Sequence, residues 1–293
     1  MRDHLDSFLA YLRIEKTASP VTVRDYRAEL LRLIGFLESQ GIGDIGSVDT
    51  SAIRRYFIHS KDSRDLAPSS MSKLIATVKS FFNYLEEDEI TAKNPSRRIK
   101  VPKKAYRIPS VMTKREVDLI LHSIGYAPLI YRKNAVRDRL VITILYYTGI
   151  RKSELLNLDW SDLNLSRTTM VIRSGKGNKD RIIPLHKNVV LLLDKYLDER
   201  LPLTLEALFT GSRGRRMCEN SFINLLNLYL KISGLKKKGY TAHSFRHSFA
   251  THLIQSGADI FKVQSLLGHA SLDSTRVYIN FNSTQMAEAV ARL

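Results

Sequence analysis

At Asn94-Pro95 the helical periodicity of this chain stops, and from Arg97 to Arg107 it reads RRIKVPKKAYR, with six basic residues and no acid. Pro102 and Pro109 disfavour a helix through this stretch, because proline lacks the amide donor and restrains the residue before it. Such a break forbids one continuous helical body. It predicts two domains in the 293 residues, 1–98 and 110–293, joined by an extended basic linker over 99–109. The linker's charge suits a path along a phosphate backbone, and the simpler reading is a solvated basic loop.

The first domain reads as all helix. Residues 6–12 begin an amphipathic pattern. Ser19-Pro20 opens a second helix, with serine as N-cap and proline in the first turn. Val23, Tyr26, Leu30, Leu33, Ile34 and Leu37 form its apolar stripe, and Gly41-Ile42-Gly43 closes it. Helices follow over 50–59 and 68–87, with Phe81 and Phe82 expected in the core.

The second domain opens on Thr113-Lys114-Arg115-Glu116, a capping box. Helical periodicity runs to Tyr147. Two short apolar runs, 169–173 and 181–185, then flank the turn SGKGNKD, which predicts a small antiparallel β-sheet. Helices are expected over 187–200, 219–233, 243–256, 260–267 and 271–281. The fold class is therefore mainly α, a helical N-terminal domain followed by an α-rich domain with one small sheet.

Charge and cysteine usage narrow the partners. Lys and Arg number 46 against 29 Asp and Glu, a formal +17, which favours a polyanion. No apolar run is long enough to span a bilayer, and the longest, around 140–147, reads as a buried helix. The N-terminus carries acids and a histidine among its first residues, unlike a signal peptide. Cys218 is the only cysteine, so no disulfide can form within the chain. It is expected to be a small, partly buried thiol in a reducing cytoplasm.

Chemistry-bearing residues recur near the glycines. Arg151 follows Gly149 at the start of a predicted helix, and Lys176 sits between Gly175 and Gly177 at the tip of the predicted hairpin. His243 and Arg246, three apart, share a helix face. His269 follows Gly268 at a helix end, and Tyr278 lies in the helix after it. Guanidinium groups bind phosphate oxygens, imidazole moves protons near neutrality, and a phenol can attack as a nucleophile. His243 and His247 have the spacing of a zinc-binding helix, but Ser-Phe-Arg lies between them, without a glutamate and with a cation that opposes a metal. No cluster of carboxylates suggests a two-metal nuclease. No metal, cofactor or small-molecule substrate is expected.

The segments TGIRKSELLNLDWSDL, GKGNKDRIIPL, HSFRHSFATHL and LLGHASLDSTRVY together resemble the tyrosine site-specific recombinases, and among them the Xer group. They occur in that family's order and spacing over most of residues 110–281. The resemblance implies a two-domain DNA clamp, with a core DNA-binding domain over 1–98 and the catalytic domain after it. It implies that Tyr278 attacks the scissile phosphodiester, that Arg151 and Arg246 hold the non-bridging oxygens, and that Lys176 protonates the leaving 5′-oxygen. It implies that His243 handles the tyrosine proton and His269 donates to the phosphate. Glu154, three residues after Arg151, is expected to support the site rather than react. His247 and His252 are expected to be structural.

The implied partner is a double-stranded recombination site, bound by a homotetramer that joins two such sites. Residues 283–293 carry Met286, Ala289, Val290 and Leu293 at helical spacing, and in relatives this segment docks into a neighbouring protomer. No spare N-terminal segment for a separate arm-binding domain is expected. That favours resolution of chromosome or plasmid dimers over a mobile-element integrase of the same chemistry. A type IB topoisomerase would share the phosphotyrosine without pairing sites, and a DNA-binding protein without cleavage activity is the alternative of a different class.

Overall fold

The computed structural model describes residues 1–102, 110–173, 180–211 and 214–268. Two compact units divide the chain, Met1–Arg107 and Ile108–Leu293. The expected helices over 271–281 and 283–293, the hairpin tip and most of the 99–109 stretch lie outside the described residues.

The first unit is built from α1 (Arg2–Ile14), α2 (Pro20–Ser39), α3 (Thr50–Arg64) and α4 (Pro68–Glu87). Local signals set their starts. The Ser19 hydroxyl accepts from the Thr22 amide at 3.2 Å, and Asp49 Oδ1 accepts from the Ala52 amide at 2.7 Å, each satisfying an orphan donor. The apolar stripes meet in one core, where Phe8 packs its ring 5.3 Å from Phe81 and 5.4 Å from Tyr84. α3 runs one turn or more beyond the 50–59 expected from sequence. Its last turn is polar, so periodicity gave no reason to extend it. Arg64 instead forks onto Glu29 of α2, at 2.6 and 3.1 Å, and that contact between helices holds the turn.

Lys79 of α4 organises the chain just beyond its helix. Its Nζ donates to the carbonyls of Ser96, Arg97 and Ile99 at 3.2, 3.2 and 2.7 Å, and Ile99 is buried in the first unit's core. Replacing Lys79 with methionine keeps the stem and removes all three donors. The loss expected is roughly 1–3 kcal/mol of local stability, so the Ile99 amide should exchange hydrogen about tenfold faster or more while core amides of α1 stay unchanged. Exchange mass spectrometry reads this directly.

The second unit contains α5 (Lys114–Ser123), α6 (Leu129–Arg132), α7 (Ala135–Thr148), α8 (Lys152–Asn157), α9 (Lys187–Arg200), α10 (Glu219–Ile232), α11 (Ala242–Gln255) and α12 (Ile260–Leu267). The Thr113 box forms as expected: its hydroxyl accepts from the Glu116 amide at 3.2 Å, and Glu116 Oε2 accepts from the Thr113 amide at 2.8 Å. α7 is apolar nearly all round, and it is the buried helix the sequence suggested, packed against α9 and α11. Among the described residues no helix is long and apolar enough to cross a membrane.

The sheet has three antiparallel strands in the order β1 (Leu163–Asn164), β2 (Thr169–Ile172) and β3 (Arg181–Pro184). β1, with two residues, is too short to show alternation and escaped the sequence reading. Ile172 pairs with Arg181, so β2 and β3 flank the segment of chain that carries Lys176. Cys218 corrects another expectation: its thiol is exposed, because it sits just before α10 with Met217 taking the inward position.

Candidate active site

α7 ends where Gly149 takes φ +62°, a left-handed conformation that glycine adopts without strain. The position is also closed sterically. A Cβ there would fall 2.4 Å from Phe249 Cδ1 and 2.9 Å from Leu267 Cδ2. The turn sends Ile150 into the core and places Arg151 immediately before α8.

Glu154, one turn into α8, faces back toward Arg151. Its Oε2 accepts from the Arg151 amide at 2.8 Å and its Oε1 from Arg151 Nη1 at 2.7 Å. A second guanidinium closes on the same carboxylate, with Arg181 Nη1 3.0 Å from Oε1 and Nη2 2.7 Å from Oε2. Burial by itself would raise the carboxyl's pKa. The bonds from Arg181, with those from Arg151, override it and hold Glu154 at about 2. It is an anion at every physiological pH.

Three arginines meet the C-terminus of α12. Arg181 Nε donates to Leu266 O at 2.9 Å, Arg246 Nη2 to Leu267 O at 2.7 Å, and Arg151 Nη2 to Gly268 O at 3.2 Å. The last carbonyls of a helix lack intrahelical partners and form its negative end, so each cation satisfies an acceptor there. Arg246 also ties this end to the α7 terminus, with Nη1 donating to Gly149 O at 2.7 Å. Gly268 takes φ +63°, and the next residue is His269.

His243 lies in the first turn of α11, one turn before Arg246. Its imidazole pKa is pushed below 6.5 by desolvation first, then by the positive charges of Arg246, Arg151 and Lys152. Both effects favour the neutral ring, the form that can accept a proton. His247 packs edge-on at 6.5 Å between centroids, and burial, then His243 and Arg246, hold its pKa down at about 4. His252 pairs its Nδ1 with the Tyr146 hydroxyl at 2.9 Å.

The described residues thus bring Arg151, His243 and Arg246 together, with Glu154 bonded to Arg151. Lys176, His269 and Tyr278 lie outside the described residues. Among the described residues Arg151 places two of its five guanidinium donors on acceptors, Glu154 Oε1 and Gly268 O, which fixes the guanidinium in plane. Sequence reasoning missed Arg181. Its signal was an arginine in phase with Ile183 on a strand, yet adjacent isoleucines at 182 and 183 left the phase ambiguous.

Comparison with known proteins gives the family. Residues 110–285 match the phage integrase family, and residues 5–89 match the phage integrase N-terminal SAM-like domain. The chain is 34% identical to the tyrosine recombinase XerC of Oceanobacillus iheyensis, over 98% of this chain and 94% of that protein. It is 32% identical to the tyrosine recombinase XerD of Listeria innocua, over 98% and 97%. Among solved structures, the XerH site-specific recombinase bound to palindromic difH in a post-cleavage complex superposes with a TM-score of 0.77 at 25% identity, covering 98% of this chain and 83% of that one. On the strength of both domain matches and this near full-length similarity, the chain belongs to the phage integrase family and is a site-specific tyrosine recombinase of the Xer kind.

Proposed function

We propose that Arg151, Lys176, His243, Arg246, His269 and Tyr278 are the catalytic residues of this recombinase, and that its task is the resolution of chromosome or plasmid dimers. The convergence of Arg151 and Arg246 on consecutive carbonyls, Gly268 and Leu267, carries the reading. It sets two guanidiniums beside His243, whose neutral form is favoured, at the helix end that leads into His269.

The Tyr278 oxygen attacks the scissile phosphorus and the bond from phosphorus to the 5′-oxygen breaks. His243 takes the tyrosine proton, and Lys176 gives one to the leaving 5′-oxygen. Arg151, Arg246 and His269 stabilise the charge gathered on the non-bridging oxygens. The products are a 3′-phosphotyrosine and a free 5′-hydroxyl. Attack by the 5′-hydroxyl of a partner strand reseals the backbone without ATP, since the phosphotyrosine conserves the bond's energy.

Residues 1–98 and 110–293 would serve as DNA-binding and catalytic domains, with four copies acting on two duplex sites in the cytoplasm. A groove of about 600 Å³ beside α7, β3, α11 and α12 is lined by Tyr146, Ile183, Leu185, Phe249, Leu253 and Leu266. Its mostly apolar lining, interrupted by Lys114, His186, His252 and Ser256, suits the 283–293 helix of a neighbouring copy.

The test is a nicked suicide duplex carrying a recombination site, on which the wild-type protein should become covalently trapped. Lys176→Ala should slow trapping roughly 10²–10⁴-fold. A 5′-thio leaving group, which needs no proton, should restore most of the rate. A Lys176→Ala defect that persists on the thio substrate would reassign the general acid.

A further inference from the structure

We propose that Arg181 is a positioning residue for the cleavage reaction, setting the plane of Arg151 through Glu154. This rests on the assignment of Arg151 to the scissile phosphate. Arg181 is the first residue of β3, on the same face of the strand as the buried Ile183, whereas Ile182 between them is 66% exposed. Its side chain is 11% exposed, so the guanidinium is enclosed and cannot simply be a solvated surface charge.

All three of its nitrogens are engaged by protein. Nη1 and Nη2 fork onto the two oxygens of Glu154, and Nε donates to Leu266 O. This is the bidentate geometry that fixes a carboxylate in both position and plane. The carboxylate so fixed receives Arg151 twice, through its backbone amide at 2.8 Å and Nη1 at 2.7 Å. A chain of charged contacts therefore runs Arg181, Glu154, Arg151. The bond to Leu266 O ties that chain to the end of α12, two residues before Gly268, whose carbonyl Arg151 also holds.

Gly268 shows how closely the pieces are fitted. A Cβ on it would sit 3.2 Å from both Arg181 Cδ and Nη1, tighter than ordinary van der Waals contact. Arg181 thus links β3, the start of α8 and the end of α12. Without it, Glu154 would keep, among the described residues, only the cation it is meant to orient, and the pair could turn together.

The experiment measures single-turnover cleavage on the suicide duplex, beside DNA affinity by fluorescence anisotropy, for the full chain and for Arg181→Lys, Arg181→Ala and Arg151→Ala. Each is run on a normal linkage and on a scissile methylphosphonate, in which a methyl replaces one non-bridging oxygen and removes the negative charge. Lysine keeps the charge of Arg181 but not the fork, and it covers the case in which the alanine variant fails to fold.

Arg181→Lys should bind DNA within about twofold of wild type and cleave the normal linkage roughly 10²-fold slower, the scale of an ångström-sized misplacement. Its deficit should shrink on the neutral linkage in parallel with that of Arg151→Ala, because less charge is left for Arg151 to meet. An equal Arg181→Lys deficit on both linkages, or a lower amplitude at an unchanged rate, would make Arg181 a stabilising residue only and overturn the proposal. If Arg151→Ala shows no greater deficit on the charged linkage, the assignment of Arg151 falls, and this proposal falls with it.

Discussion

Tyr278→Phe is expected to lose covalent attachment to a suicide duplex entirely while retaining affinity for the same DNA within about twofold. The substitution removes one oxygen, the atom assigned as nucleophile, and no phosphate-binding group. Nucleophilic catalysis has no partial substitute here: water attacking the phosphate would leave a free 3′-phosphate instead of a protein adduct. The amplitude on a denaturing gel should drop to background, and anisotropy should superimpose on wild type. An adduct formed by the phenylalanine variant would place the nucleophile elsewhere. Loss of affinity in step with loss of cleavage would instead give Tyr278 a role in holding DNA.

Glu154→Gln should have the largest effect on stability. The carboxylate is 7% exposed and lies between Arg151 and Arg181, whose side chains are 22% and 11% exposed. Removing its charge takes from two enclosed guanidiniums the carboxylate that both bond, at a cost of about 3–5 kcal/mol for breaking such a pair. The pKa gives a similar size. A fall from 4.5 to about 2 corresponds to about 3 kcal/mol of stabilisation by the charged form. The sign is set by the direction of the shift. The folded value is below the unfolded one, so this stability is fully present above pH 4.5 and is lost as pH falls toward 2.

The only tryptophan, Trp160, lies in the second unit against Tyr196, so its fluorescence reports unfolding of that unit. In urea titrations at pH 7 the Glu154→Gln transition should come well before that of wild type. Between pH 4.5 and 2 the wild type should lose the larger share of its stability and the two curves should approach each other. Parallel curves across that window would mean that the glutamate carries no depressed pKa. Cleavage should also fall in Glu154→Gln, since Arg151 loses the group that orients it.

Local signals were legible because capping is a local interaction. Ser19-Pro20, the Thr113 box, Gly149 and Gly268 each bond within four residues of themselves, so the helix ends they mark could be read directly. The motif residues were legible for a related reason. Arg151, His243 and Arg246 sit in short segments whose resemblance to known recombinases fixes their order and spacing. The end of α3 was not legible, because its hold on α2 comes through Arg64 and Glu29, 35 residues apart.

The amino-acid sequence by itself determined that the chain is mostly helix in two parts and where most helices begin and end, and its resemblance to known recombinases named the side chains proposed for phosphate chemistry. Only the tertiary structure decided that Arg181 shares the carboxylate of Glu154, and that three arginines close on the carbonyls of Leu266, Leu267 and Gly268. Those contacts span 21 to 117 residues of chain. They depend on how α8, β3, α11 and α12 pack around α7, and no periodicity within a single element encodes where a guanidinium on one of them will find its acceptor on another.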